Sequence, residues 1–272
     1  MQALWQRAGL PEAALGQLRL TGADPVLPSS FAVAQAAQAG IGAAALAAAE
    51  LWARRSGQPR QTVSVDATHA ALESCAHFMI DGQVPPMWDP VSGLYACGAA
   101  TGEPGWVRLH ANFAHHRDAA LRTLGLPEGP GSDKAAVAQA LTRWRAVDVE
   151  EAVLAAGGVA AALRSHAQWL AHPAGQALAG APPFTIEKLG PAAPRPWPAL
   201  GGDDAPLTGL RVLELTRILA GPVAGRTLAA YGADVLLVNS PHLPNIDAIA
   251  DTSRGKRSAH VDLATEAGRA TL

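Results

Sequence analysis

The chain has 272 residues, 49% of them hydrophobic and 16% charged, with a formal net charge of −2. That composition is globular and excludes a disordered chain. The near-neutral charge excludes a general basic field for nucleic acid or an anionic membrane, so an acidic or phosphorylated ligand needs a local basic patch.

Residues 1–29 read as a ragged lead-in that Pro25 and Pro28 close, without the charged head and apolar core of a secretion signal. Phe31 to Ala49 carries no charge and has the length of a membrane span. It is mostly alanine, with Gln35, Gln38, Gly40 and Gly42 inside, and alanine gains little in lipid. A packed helix is therefore expected, from an N-cap at Ser30 to about Arg55, with Gly57 and Pro59 ending it. Gln61 to Asp66 alternates polar and apolar as a strand does, and Asp66 caps a helix expected over Ala67 to Ile80.

After a proline-rich loop at 85–90, strands are expected near Leu94–Cys97 and Trp106–His110, joined by the turn at 101–105. From Asn112 to Gly180 the pattern is a series of helices, with Trp144 and Trp169 on apolar faces. Residues 191–206, rich in proline, form a linker and a boundary by composition. Beyond it, strands are expected at Leu210–Leu215, Ala233–Val238 and Ala259–Leu263, parallel neighbours in one sheet. A helix from Pro222 to Tyr231, stopped by Gly232, joins the first two as a βαβ unit. Thr265 caps a final helix.

Cys75 and Cys97, without CxxC spacing, read as small core hydrophobes in a reducing cytosol. His110, His115 and His116 fit no common metal spacing and are expected in surface or packing roles. Asp66 and Glu73 make a poor acid–base pair, since one caps a helix and the other lies on a helix face. The chain has no GxSxG elbow, P-loop or HExxH.

The informative turn is Thr216 to Gly225. Pro222 suits a first helical position, Ala220 and Gly221 allow close backbone approach, and free N–H groups at a helix start favour an anion. Dinucleotide binding is not expected: the glycines lack GxGxxG spacing, and the second strand ends in Asn239-Ser240 where a carboxylate would be needed. Arg254, Lys256 and Arg257 surround Gly255 just before the third strand, where three cations can meet phosphates.

The run LTGLRVLELTRILAGPVAGRTLAAYGADVLLVNSP, followed by RGKRSAHVDL, resembles the opening of family III coenzyme A transferases, the formyl-CoA and carnitine CoA-transferase group of CaiB/BaiF type. TVSVDATHAALE, GLYACGAATGEPGWVRLHANFAHHRDAALRTLGLP and AHPAGQAL resemble, more loosely, the later half of the same family. The halves stand in reversed order. The simplest account is a longer protein with two family units, the first lacking its opening half at 30–190 and the second truncated at 207–272.

The resemblance implies an α/β fold, with a Rossmann-like parallel sheet segment at the C-terminus preceded by a mixed, helix-rich α+β domain. It implies a cytoplasmic enzyme that moves CoA between an acyl-CoA thioester and a carboxylic acid through an aspartyl anhydride. The family's aspartate matches no residue here, so the chain alone is expected to be inactive. Carried over by position, the CoA contacts are the backbone at Leu219 and Ala220 with Gly221 at the helix start, and Val261, Asp262, Leu263 and Ala264. Ser240 stands where members often have arginine, and Ala264 where lysine is frequent; Arg254, Lys256 and Arg257 compensate in this reading. Acyl-CoA and carboxylic acids are the expected partners, with a homodimer for the full protein and no metal, NAD, nucleic acid or membrane. Two alternatives stay open: a 2-methylacyl-CoA racemase of the same family, and a non-catalytic CoA-binding or dimerisation module.

Overall fold

The computed structural model describes residues 1–23, 25–75 and 78–272. The protein is a mixed α/β chain of two compact units, 1–85 with 184–272, and 86–183. The boundary therefore does not follow the proline-rich segment; the first unit draws on both ends of the sequence.

In that first unit the lead-in is structured. Helix α1 (Gln2–Arg7), a 3-10 turn (Glu12–Gln17) and strand β1 (Leu18–Thr21) precede the long helix α2 (Val33–Ser56). β1 pairs in parallel with β2 (Val63–Asp66), Leu18 opposite Val63. The expected raggedness fails because Trp5 is buried with Ala14 and Leu46, and its indole donates to the Pro11 carbonyl at 2.9 Å. α2 lies on this strand pair. Buried Gln38 donates to the carbonyls of Thr21 and Val65, each at 2.8 Å, which offsets the cost of burying its amide. At Gly42 a side chain would already be in contact with Leu18 and Leu20, so small size brings helix and strands together there.

α2 begins at Val33 with Ala32 at its cap, not at Ser30, and ends as expected at Gly57, left-handed at φ 71°. Ser29 turns back instead, its hydroxyl accepting from the Phe31 N–H. The next helix, α3 (Ala67–Ser74), is shorter than expected; Ala76 and His77 of the expected span lie outside the described residues. Asp66 caps it, accepting from the N–H groups of Thr68 and His69, and the Thr68 bond holds this carboxyl below its usual range. Cys75 ends α3 on the surface rather than in the core, whereas Cys97 is buried as expected.

The second unit is an antiparallel sheet, β3 (Gly93–Cys97), β4 (Gly105–Leu109) and β5 (Ala160–Ala162), under helices α4 (Ala114–Thr123), α5 (Lys134–Leu141) and α6 (Ala146–Ala155). Alternate strand residues Tyr95, Cys97, Val107 and Leu109 enter one core with Leu121, Val137, Leu141, Val149 and Val153. Trp144 packs against that core as expected. Trp169, on α7 (His166–Ala171), does not: it is 39% exposed and stacked on His172. α7 is only six residues long and buries none of them before Pro173 opens α8 (Pro173–Leu178).

The first unit resumes with β6 (Arg211–Glu214), α9 (Ala220–Ala230), β7 (Asp234–Asn239), α10 (Ile249–Thr252), β8 (Arg257–His260) and α11 (Glu266–Thr271). β6, β7 and β8 are parallel neighbours in that order, as the sequence pattern requires. β8 starts and stops earlier than expected. Val261 makes the last sheet contact, to the Asn239 carbonyl at 3.0 Å, and Asp262 then turns the chain by accepting from the Ala264 N–H at 3.0 Å. Leu51 of α2 joins the core of Leu207, Ala233 and Val235 beneath this sheet. Among the described residues no helix is long and apolar enough to cross a membrane.

His110, Phe113, His115 and His116 cluster beside Trp88 in the second unit, with the His115 and His116 rings 4.1 Å apart. Burial lowers the pKa of both His110 and His116, aided by Arg108 for the first and by His115 and His110 for the second. A folded-state pKa below the unfolded value of about 6.5 keeps stability whole above that pH and removes it as pH falls through the window below. The urea midpoint should therefore drop as pH falls below about 6.5. A His110→Asn/His116→Asn protein should show a flatter profile over the same interval.

Candidate functional site

The three loops that leave the carboxyl ends of β6, β7 and β8 begin at Leu215, Ser240 and Val261. In a parallel sheet these loops share one edge, the edge at which open α/β sheets bind ligands. Leu219, Ala220, Gly221, Ser240, Val261, Asp262, Leu263 and Ala264 are all brought there.

The β6–α9 loop is the most constrained. α9 begins at Ala220, so Pro222 is its third residue rather than its first. Proline is tolerated anywhere in a first turn whose N–H groups have no helical partner. Ile218 has φ +75°, a left-handed conformation that β-branched residues rarely adopt. Gly221 does not leave its backbone open in the way the sequence suggests. A Cβ there would stand 2.3 Å from the Cβ of Thr216, so its small size accommodates that threonine.

Beneath the loop lies a buried ion pair. Lys256 Nζ is 2.8 Å from Glu214 Oε2, with side chains only 1% and 4% exposed. The ammonium also donates to Glu214 Oε1 at 3.1 Å and to the Pro222 carbonyl at 2.7 Å. Gly225 makes room for the carboxylate: a Cβ would come within 1.8 Å of Glu214 Oε2. Thr216 Oγ1 donates to Glu214 Oε1 at 2.8 Å. Sequence reasoning missed Glu214, Thr216 and Ile218. The available signal was Glu214 set among the apolar residues Val212, Leu213 and Leu215.

The basic segment stands before the third strand, as expected, but its cations already have carboxylate partners. It precedes β8, and Arg257 pairs opposite Leu236 rather than beyond the strand ends. Lys256 is committed to Glu214. Arg257 pairs with Asp234, its Nε 2.9 Å from Oδ1, and Arg254 pairs with Asp251 at 2.7 Å. Gly255 lies against Ala229 in the last turn of α9, far along the helix from Ala220. The segment therefore does not join the carboxyl-edge loops, because a parallel strand carries the residues before it away from that edge.

At the edge itself, Asp262 Oδ2 is 2.9 Å from His242 Nε2. This contact, followed by the Ala264 N–H, holds the Asp262 carboxyl below its usual range. Ser240 Oγ accepts from the His242 N–H at 3.2 Å. Asn239, which ends β7, is buried and paired with Asn245. Among the described residues no group of three or more His, Cys, Asp or Glu side chains is placed to hold a metal.

A groove of about 980 Å³ runs along α9 from Leu219 and Ala220 to Tyr231, with Ala37, Gly40, Ile41 and Ala44 of α2 as its other wall. Arg226, Asp251 and Glu73 line it as an ion-paired cluster.

Fold and loops together define a parallel α/β segment. In the comparison with known proteins, residues 207–272 match the family model described as CoA-transferase family III. An acyl-CoA transferase of Gibberella moniliformis is 29% identical over 230 residues, covering 74% of this chain and 40% of that protein. The succinate–glutarate CoA-transferase of Agrobacterium fabrum is 43% identical over 86 residues, covering 25% of this chain and 22% of the relative. A solved CaiB/BaiF family protein from Brucella suis is 42% identical over 25% of this chain and 22% of its own, with a TM-score of 0.21. The chain thus spans well under half the length of these relatives.

Breaking the buried pair should be costly. Lys256→Met leaves Glu214 charged, buried and unpaired, at a cost of about 3–5 kcal/mol. Adding Glu214→Leu should recover much of that loss. Urea denaturation of the wild-type, single and double variants checks both statements.

Proposed function

We propose that residues 207–272 are the Rossmann-like, CoA-binding segment of an enzyme that moves coenzyme A between an acyl-CoA thioester and a carboxylic acid. The observation that carries this reading is the convergence of the family-matching loop residues on one edge of a parallel sheet. The helix start at Ala220 and Gly221 supplies N–H groups and the positive end of a helix dipole to a ligand oxygen. Since Lys256 is buried in its own pair, phosphate recognition in this reading rests on backbone groups and not on that cation. The groove beside Leu219 and Ala220 offers apolar walls to the remainder of an acyl-CoA.

The chemistry follows the family. An aspartate carboxylate attacks the thioester carbonyl carbon, the C–S bond breaks, and CoA leaves as thiolate, giving a mixed anhydride. The reading places that aspartate outside these 272 residues. It also takes residues 30–190 as the later half of another family unit, and it places the full protein in the cytoplasm as a homodimer.

Calorimetry with CoA tests the site. The wild-type chain should bind CoA, and Ala220→Phe should abolish binding by blocking the helix start; unchanged affinity in that variant would overturn the placement. Turnover is tested by incubation with acyl-CoA donors and carboxylate acceptors, with hydroxylamine to trap an anhydride. The 272-residue chain should give neither turnover nor adduct, since binding without the nucleophile leaves only residual acceleration. An adduct mapping to Asp66 or Asp262 would mean that the nucleophile lies within this chain.

A further inference from the structure

Ile218, at φ +75°, is a strained residue in the very turn that opens the proposed site. Such conformations persist only where the surroundings over-determine them, and they gather at ligand clamps. Here the surroundings are specific. On the strand side, the Thr216 hydroxyl is held by Glu214 at 2.8 Å. On the helix side, Gly221 presses on the same threonine, with space for a Cβ filled by its Cβ and Cγ2 at 2.3 and 2.5 Å. One residue further on, Lys256 holds the Pro222 carbonyl at 2.7 Å. Both ends of the turn are tied to one buried ion pair, and the threonine side chain fills the gap between them. Just past Ile218, the N–H groups of Ala220 and Gly221 have no acceptor among the described residues.

We propose that Thr216 is a positioning residue of this site. Its side chain wedges between strand end and helix start, keeps Ile218 left-handed, and so presets the Ala220 and Gly221 N–H groups for a ligand oxygen. The inference rests on the CoA reading above. It assigns the wedge to the methyl-bearing side chain, and it requires no contact between Thr216 and the ligand.

The test compares CoA affinity and urea midpoint in the 272-residue chain and its variants. Thr216→Ala should weaken CoA binding about tenfold, the scale set by the strain of one left-handed residue. The midpoint should fall in Thr216→Ala and Thr216→Val alike, because both lose the hydroxyl that donates to buried Glu214, so the difference in affinity between the two variants isolates the wedge. Thr216→Val keeps the wedge and should keep most of the affinity. Adding Ile218→Gly to Thr216→Ala should restore much of the lost affinity, because glycine enters the left-handed region without a wedge. Wild-type affinity in Thr216→Ala, a Thr216→Val protein as weak as Thr216→Ala, or no rescue by Ile218→Gly would each overturn the proposal while the CoA reading stands. A wild-type chain that does not bind CoA overturns both.

Discussion

The Lys256–Glu214 pair organises the C-terminal sheet. It joins the end of β6 to the residue before β8, two strands that have β7 between them. Through the Pro222 carbonyl it also fixes the first turn of α9. Two buried charges are expensive to desolvate, and mutual attraction compensates only when further polar contacts complete the geometry. Here the ammonium has two carboxylate oxygens and a carbonyl, and the carboxylate has the Thr216 hydroxyl. The pair also imposes residue identities: Gly225 is dictated by the volume of Glu214, and the strained path of Ile218 by what Thr216 and Gly221 leave open.

A second constraint ties the two ends of the chain into one unit. α2 presents Leu46 to the N-terminal core and Leu51 to the core of the C-terminal sheet. At its end Arg55 donates to the carbonyls of Pro198, Pro206 and Thr208 and lies 4.3 Å above the Trp197 ring. Prolines in that segment have no N–H to donate, and a guanidinium offers enough donors to satisfy several of their carbonyls at once. The linker by composition is therefore docked on α2. Glu50, buried one turn earlier, takes Arg54 and Arg60, and the Arg60 bond keeps its carboxyl ionised below the usual range. Segments from the two ends of the chain thus meet in one compact body.

In the CoA reading, this arrangement changes where the electrostatics of binding come from. Basic residues in a row suggest a phosphate site, but each of the three is matched by a carboxylate: Arg254 by Asp251, Lys256 by Glu214, Arg257 by Asp234. At the carboxyl edge stand a helix start, a turn capped by Asp262, and the His242–Asp262 contact. Preorganised N–H groups cost little reorganisation when an anion arrives, which makes the stiffness of the β6–α9 turn more consequential than the count of nearby cations.

The sequence by itself determined the parallel β–α–β order, because continuous apolar runs such as Val235 to Val238 fit strands of a parallel sheet and Gly232 suits a helix end. It determined the Asp66 cap and the Gly57 stop, since both depend on neighbours within a few residues. It also carried the likeness of residues 207–272 to CoA-transferase family III, through the joint spacing of the LAGP turn and the GKRS segment. Tertiary structure alone decided what those motifs do in space. Lys256 reads as a surface cation until β8 is set beside β7 and Glu214 is found beneath α9. Gly221 reads as a ligand's opening until Thr216 is seen to fill it. The lead-in reads as ragged until Trp5 finds Leu46 on a helix far along the chain. In each case the deciding partner is distant in sequence, and local propensity contains no information about which side chain will occupy a given volume or neutralise a given charge.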